Sequence, residues 1–137
     1  MVKSEDNGRG EIFDPVRKRY VALTPEEWVR QQTIATLHER QGYPYELMQV
    51  EAAITLNGLT RRCDIVVYDA SVQPFMIVEC KKEEVELTQK VVDQACRYNL
   101  VLGVPYLLLT NGRQWLCLQV DRQAQRLTPV AVPEWKN

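Results

Sequence analysis

A chain of 137 residues with 45% apolar content makes one ordinary domain with enough hydrophobic material for a real core. Its 17 basic and 18 acidic residues leave a net charge of −1, which excludes a whole-molecule basic field and leaves nucleic acid only a local basic cleft. Four cysteines, Cys63, Cys80, Cys96 and Cys117, show neither CxxC pairing nor zinc-finger spacing and sit in apolar runs, as reduced, buried thiols do.

The opening Met1-Val2-Lys3-Ser4-Glu5-Asp6 is polar and carries no apolar signal segment. Residues 1–20, with the basic cluster Arg17-Lys18-Arg19, read as an N-terminal arm, loose or forming an edge strand, ahead of a single domain over 21–137. Thr24-Pro25-Glu26-Glu27 is a helix start: Thr24 at the N-cap, Pro25 in the first turn, Glu27 as capping-box acid. That helix is predicted to run to about Gln41 and stop at Gly42. Leu47–Leu56 and Leu59–Tyr68 are strand-like and joined by Asn57-Gly58, a strong hairpin signal.

Pro74–Lys82 follows as the strand around which the chain is organised. Phe75, Met76, Ile77, Val78 and Cys80 are apolar, as in a strand buried on both faces. Thr88 is placed to cap a second helix reaching about Leu102, with Val91, Val92, Ala95, Tyr98 and Leu102 on its buried side. Tyr106–Thr110 and Trp115–Val120 form another hairpin across Asn111-Gly112, and Leu127–Val132 adds an edge strand limited by Pro129 and Pro133. The run Leu100–Leu109, broken by Gly103 and Pro105, is too short to span a bilayer. The expected architecture is α/β (α+β), a mixed β-sheet flanked by helices in the order α-β-β-β-α-β-β, with a crossover from the organising strand to a parallel Tyr106–Thr110. No membrane is expected, and the location is expected to be cytoplasmic.

Within the organising strand, Glu79 and Lys81 share one face while Val78 and Cys80 point to the other. Ionised groups in so apolar a strand are costly unless paired or bound to a metal. Asp64 lies in a second apolar strand and can come beside Glu79 if register permits. Two carboxylates that close raise one another's pKa unless a cation sits between them. A hard divalent ion, Mg²⁺ with Mn²⁺ as substitute, suits Asp64, Glu79 and the backbone carbonyl of Cys80. Lys81 beside them would orient or deprotonate a water, or stabilise charge developing on a phosphate.

Asp64, then Glu79-Cys80-Lys81, resembles the PD-(D/E)xK nuclease signature, and Gln94-Ala95-Cys96-Arg97-Tyr98 is similar to the Q-x-x-x-Y motif of its RecB-like branch. Together with Thr24–Gln31, Arg62–Tyr68, Ile77–Lys81 and Val104–Gly112, these segments resemble the N-terminal domain of type I restriction enzyme R subunits over roughly residues 20–120. The resemblance implies a restriction-endonuclease-like core and metal-dependent cleavage of DNA. It implies that Asp64 and Glu79 are metal ligands, Lys81 the catalytic lysine and Glu27 an accessory acid. Gln94 and Tyr98, one helical turn apart, would shape the site and touch the substrate backbone. Cys63 stands where the signature has proline, and the chain has no GxxxxGK[ST] loop, so a motor would have to come from elsewhere. Partners implied are DNA and a separate motor or specificity subunit, or a second copy in a homodimer.

Each of these residues also has a plainer reading. Asp64, Glu79 and Lys81 would make a salt-bridge group at a strand end, Glu27 would be a capping acid, and Tyr98 would be core. Arg61, Arg62, Lys82 and Arg97 would line a phosphate path or be solvated surface. His38, eleven residues beyond Glu27, lies too far along the helix for a general base. The cysteines are expected opposite the acids on their strands. The function expected is therefore a Mg²⁺-dependent deoxyribonuclease, with a non-catalytic DNA- or protein-binding module as the alternative.

Overall fold

A computed structural model describes residues 2–4 and 10–137. The N-terminal strands are β1 (Val2–Ser4), β2 (Gly10–Asp14) and β3 (Arg19–Ala22), and α1 (Pro25–Glu39) follows them. Next come β4 (Met48–Leu56), β5 (Leu59–Tyr68), β6 (Pro74–Cys80), α2 (Gln89–Leu102), β7 (Tyr106–Thr110), β8 (Trp115–Asp121) and β9 (Arg126–Val130). Strands β4 to β9 make one six-stranded sheet in sequence order, antiparallel throughout except for the parallel pair β6–β7. Antiparallel neighbours need only short turns, whereas the parallel step needs a crossover, which α2 supplies.

The sheet is buried on both faces because its central strands carry apolar residues toward both sides. Ile77, Val66, Leu107 and Leu109 pack under Val91, Val92, Ala95 and Tyr98 of α2. Val78, Ile65, Val67, Met76 and Leu108 pack against Val29, Ile34 and Leu37 of α1. A mixed sheet flanked by helices is thus the observed architecture. Among the described residues no helix is long and apolar enough to cross a membrane.

Local signals explain most boundaries. Asn57 and Gly58 both take positive φ, 54° and 77°, the geometry of the tight turn that joins β4 to β5. The Thr24 hydroxyl accepts the Glu27 N–H at 3.0 Å, and Pro25 fills the first turn of α1. The reciprocal half of the capping box is not made: the Thr24 N–H bonds to Ala22 O instead. The helix ends at Glu39, with Arg40 as C-cap, two residues short of the expected Gln41. Thr88 precedes α2 as expected, although its hydroxyl makes no capping bond. The Thr88 carbonyl accepts the N–H groups of Val91 and Val92.

The N-terminal region differs from the expectation of a loose arm or edge strand. Strands β1, β2 and β3 form their own antiparallel sheet, so the element order opens with three strands before α1. The hairpin holds because Phe13 and Tyr20 meet edge-to-face at 5.4 Å. The turn is closed by Asp14, whose Oδ1 accepts the N–H groups of Val16 at 2.7 Å and Arg17 at 3.2 Å. Residues 1 and 5–9 of the expected arm lie outside the described residues. At the other end β9 closes the sheet, with Pro129 opposite Leu118 on the outer edge, where a missing N–H is tolerated.

Candidate active site

The register of β5 against β6 pairs Ile65 with Val78, and one step further brings Asp64 beside Glu79. Both acids are buried. Each Asp64 oxygen has one donor: Oδ1 accepts from Arg30 Nη2 at 2.9 Å and Oδ2 from the Cys80 backbone N–H at 2.8 Å. Glu79 is the opposite case, because its Oε1 is buried with no hydrogen-bond partner. Burial, followed by the neighbouring Asp64 carboxylate, pushes the Glu79 carboxyl up to about 8. A buried oxygen without a donor beside a second carboxylate is a place where a proton or a cation is favoured.

Arg30 is the cation the sequence reading did not find. Burial opposes its charge, but the hydrogen bond and charge of Asp64 outweigh that and raise its pKa further. Its Nη1 also donates to Glu27 Oε1 at 3.0 Å and to Glu51 Oε1 at 3.3 Å. Arg17 of the N-terminal hairpin completes the group, reaching Glu27 Oε1 at 2.8 Å, Glu51 Oε1 at 2.9 Å and Asp14 Oδ2.

Glu27, expected as an accessory acid, is held in this ion-paired group, with Gln31 Nε2 on its other oxygen at 3.1 Å. Its neighbour Glu26 takes the open position. Glu26 lines a cleft of about 620 Å³ with Lys81, Lys82, Lys90 and Gln94. Burial, then the Asp64 charge, raises the Glu26 pKa, and Lys81 works against that rise. The signal for Glu26 was present as the first of two adjacent acids in the opening turn, but the capping rule favoured the second.

Lys81 leaves the end of β6 with its backbone N–H on Thr110 O at 2.9 Å and its Nζ on Gln94 Oε1 at 3.3 Å. Gln94 therefore lies beside Lys81. Tyr98, one turn on, donates its hydroxyl to Arg62 O at 3.2 Å and packs in the core under α2. Lys82 lines the same cleft, while Arg61 and Arg97 flank an adjoining one. Arg62 turns away to the Glu51 carbonyl at 3.1 Å.

The cysteines divide. Cys80 packs on the α1 side, its thiol 3.8 Å from the Thr33 hydroxyl, opposite Glu79 as alternation requires. Cys63 does not lie opposite the acid pair: it packs on the α2 side, where burial and then the Glu79 charge push its thiol up. The reason is a local change of face. Val50 and Ile65 belong to the α1-side core, Ala52 and Cys63 to the α2-side core, and between them Glu51 has φ 55°. That positive φ breaks the alternation and sends the Glu51 side chain to the arginines.

Asp64 and Glu79 are the residues that could hold a hard divalent cation such as Mg²⁺ or Mn²⁺. Two carboxylates adjoin, one oxygen lacks a partner, and each Asp64 oxygen keeps a second lone pair. Among the described residues no three His, Cys, Asp or Glu side chains converge on one point. The protein would thus supply Asp64, Glu79 and the Cys80 carbonyl, with the remaining positions left to water and substrate, the usual habit of Mg²⁺.

Comparison with known proteins places this arrangement in context. Residues 25–132 match the family model described as type I restriction enzyme R protein N terminus. A solved fragment described as an HsdR subunit of a type I restriction enzyme from Vibrio vulnificus YJ016 has a similar fold, with a TM-score of 0.60 at 20% identity. The match covers 82% of this chain and 24% of that one. No curated protein matches.

Proposed function

The chain belongs to the family of type I restriction enzyme R protein N termini, and from that premise we propose that it is a metal-dependent DNA endonuclease domain. In this reading the sheet is the restriction-endonuclease-like core of the PD-(D/E)xK superfamily, in its RecB-like branch. The observation that carries the reading is the unpartnered Glu79 Oε1 beside Asp64, at the end of the strand that delivers Lys81 to an open cleft. Acids buried only for structure are placed where their oxygens find donors.

Asp64 and Glu79 would hold the ion. When bound, Mg²⁺ supplies Lewis-acid offset of the charge on a phosphodiester under attack. Lys81, steadied by Gln94, presents its ammonium to a non-bridging phosphate oxygen in the cleft. Glu26, which lines the same cleft, is placed to accept a proton released during hydrolysis, since burial and then the Asp64 charge raise the proton affinity of its carboxylate. Arg30 and the Cys80 N–H fix the plane of the Asp64 carboxylate, so the acid is oriented before substrate arrives. Its partners in this reading would be DNA and a separate motor or specificity subunit, or a second copy in a homodimer, in the cytoplasm.

One observation favours the second reading, a non-catalytic DNA- or protein-binding module. Asp64 and Glu27 are both paired with arginines, as structural ion pairs are. Cleavage assays on single-stranded, double-stranded and branched DNA, with and without Mg²⁺ or Mn²⁺, decide between the two. Metal-dependent cleavage lost in Glu79→Gln supports the nuclease; its absence on every substrate supports the module.

A further inference from the structure

Beside the Lys81 cleft, and sharing Lys90 and Gln94 with it, lies a second cavity of about 550 Å³ between the β4–β5 hairpin and α2. Its composition is different. Ile54, Leu56 and Leu59 line the strand side, and the Tyr98 ring lies at the helix side. Leu59 is 60% exposed at the hairpin, an aliphatic side chain held in water at the mouth of a cavity. Arg61, Lys90 and Arg97 surround the mouth, and none of them forms an ion pair among the described residues. Asp93 is the one acid there, and it already accepts Gln89 Nε2 at 2.9 Å.

An apolar wall under a rim of free cations suits a ligand with a flat, weakly polar body and negative charge on both sides. A nucleotide inside a single strand has that character, with its base buried and its flanking phosphates on the rim. A duplex does not, because its bases are stacked and paired out of reach. The continuity of the two cavities through Lys90 and Gln94 puts such a base next to the phosphate that would lie at Lys81. We propose that this cavity is a binding site for an unstacked nucleobase, so that the domain engages single-stranded or locally opened DNA. The proposal rests on the nuclease reading for its placement of the scissile phosphate, but not for the cavity itself. The base lies between the Leu59 side chain and the Arg97 guanidinium, a face-on arrangement that tolerates any base.

The test is fluorescence anisotropy of the intact chain in Ca²⁺ with three labelled probes. These are an oligothymidine, an abasic oligomer of equal length and charge, and a duplex. The expected result is that the oligothymidine binds at least about tenfold more tightly than the abasic strand and more tightly than the duplex. Leu59→Ser, at an exposed position, is expected to cut that ratio to about twofold or less while leaving abasic binding unchanged. Equal binding of oligothymidine and abasic strand, or tighter binding of the duplex, overturns the proposal. A ratio unaffected by Leu59→Ser also overturns it. Mg²⁺-dependent cleavage, scored in parallel with Glu79→Gln, separates the two readings. Cleavage without base discrimination removes the cavity proposal alone; discrimination without cleavage removes the nuclease reading alone.

Discussion

Arg30 and Asp64, 34 positions apart, meet at 2.9 Å between the first turns of α1 and the middle of β5. The pair joins a helix, a central strand and, through Glu27 and Arg17, the N-terminal hairpin. Removing one partner leaves a buried charge uncompensated, whereas removing both relieves the demand. Arg30→Met is therefore expected to cost about 3–5 kcal/mol in urea unfolding, and Arg30→Met with Asp64→Asn to recover part of that. Strict additivity of the two changes would count against coupling.

Metal binding should need both acids. Calorimetry with Mg²⁺ or Mn²⁺ is expected to show heat with the parent and none with Asp64→Asn or Glu79→Gln. The rise in melting temperature on adding Mg²⁺ should vanish in the same two variants, because a ligand stabilises only the state that binds it. Equal binding by all three proteins would remove the shared site.

The Glu79 carboxyl, held up at about 8 by burial and by Asp64, sets a pH signature for the metal-free protein. Its folded pKa lies above its unfolded value, so between about pH 4.5 and 8 the native state binds more protons than the unfolded one. The stability this group contributes is full below the unfolded value and is lost as pH rises through that window. Melting temperatures measured from pH 5 to 8 are expected to fall for the parent more steeply than for Glu79→Gln. Parallel curves would show that Glu79 is ionised throughout.

The two acids that open α1 should separate by experiment. Glu26 is exposed on the cleft, so Glu26→Gln is expected to change stability by no more than about 0.5 kcal/mol and to slow cleavage at least about tenfold. Glu27 accepts from Arg17, Arg30 and Gln31, so Glu27→Gln is expected to cost about 3 kcal/mol in urea unfolding. The opposite assignment of the two effects would return the accessory role to Glu27.

Lys81→Ala is expected to abolish cleavage and leave metal affinity nearly unchanged, since a protonated amine is no ligand. Lys82→Ala, exposed on the rim of the same cleft, should lower activity only a few-fold through weaker phosphate contact. If Lys82 were the more sensitive position, Lys81 would be serving Gln94 alone.

Much of this architecture is written in short-range pattern. The apolar runs Ile65–Val67 and Met76–Val78, the Asn57-Gly58 turn and the Thr24-Pro25 start each have a local cause, and each appears in the fold. The approach of Asp64 to Glu79 follows from strand order plus register. What pattern does not carry is long-range pairing of polar groups. Arg30 looks like any helical arginine until β5 passes beneath it, and Arg17 looks like part of a solvated basic cluster. Cys63 defeats strict alternation because both paired strands change face there, Val50 to Ala52 on β4 and Ile65 to Cys63 on β5, beside the positive φ of Glu51. The N-terminal hairpin was missed although Asp14-Pro15 is a turn signal, because its strands are only three to five residues long.

The segment after β6 closes a small covalent and hydrogen-bonded ring. Lys81 N–H is fixed to Thr110 O, and four residues later Val85 O receives Asn111 Nδ2 at 2.9 Å. Both anchors fall on two consecutive residues of the β7 end, and Asn111 Oδ1 is itself clamped by the N–H groups of Arg113 and Gln114. Lys82, Glu83 and Glu84 are thus strung across a span that cannot lengthen. A gripping loop that wraps its cargo needs slack, and this one has none. If the cleft takes DNA as proposed, the wall carrying Lys82 would act as a fixed gauge, and adaptation on binding would have to come from the DNA.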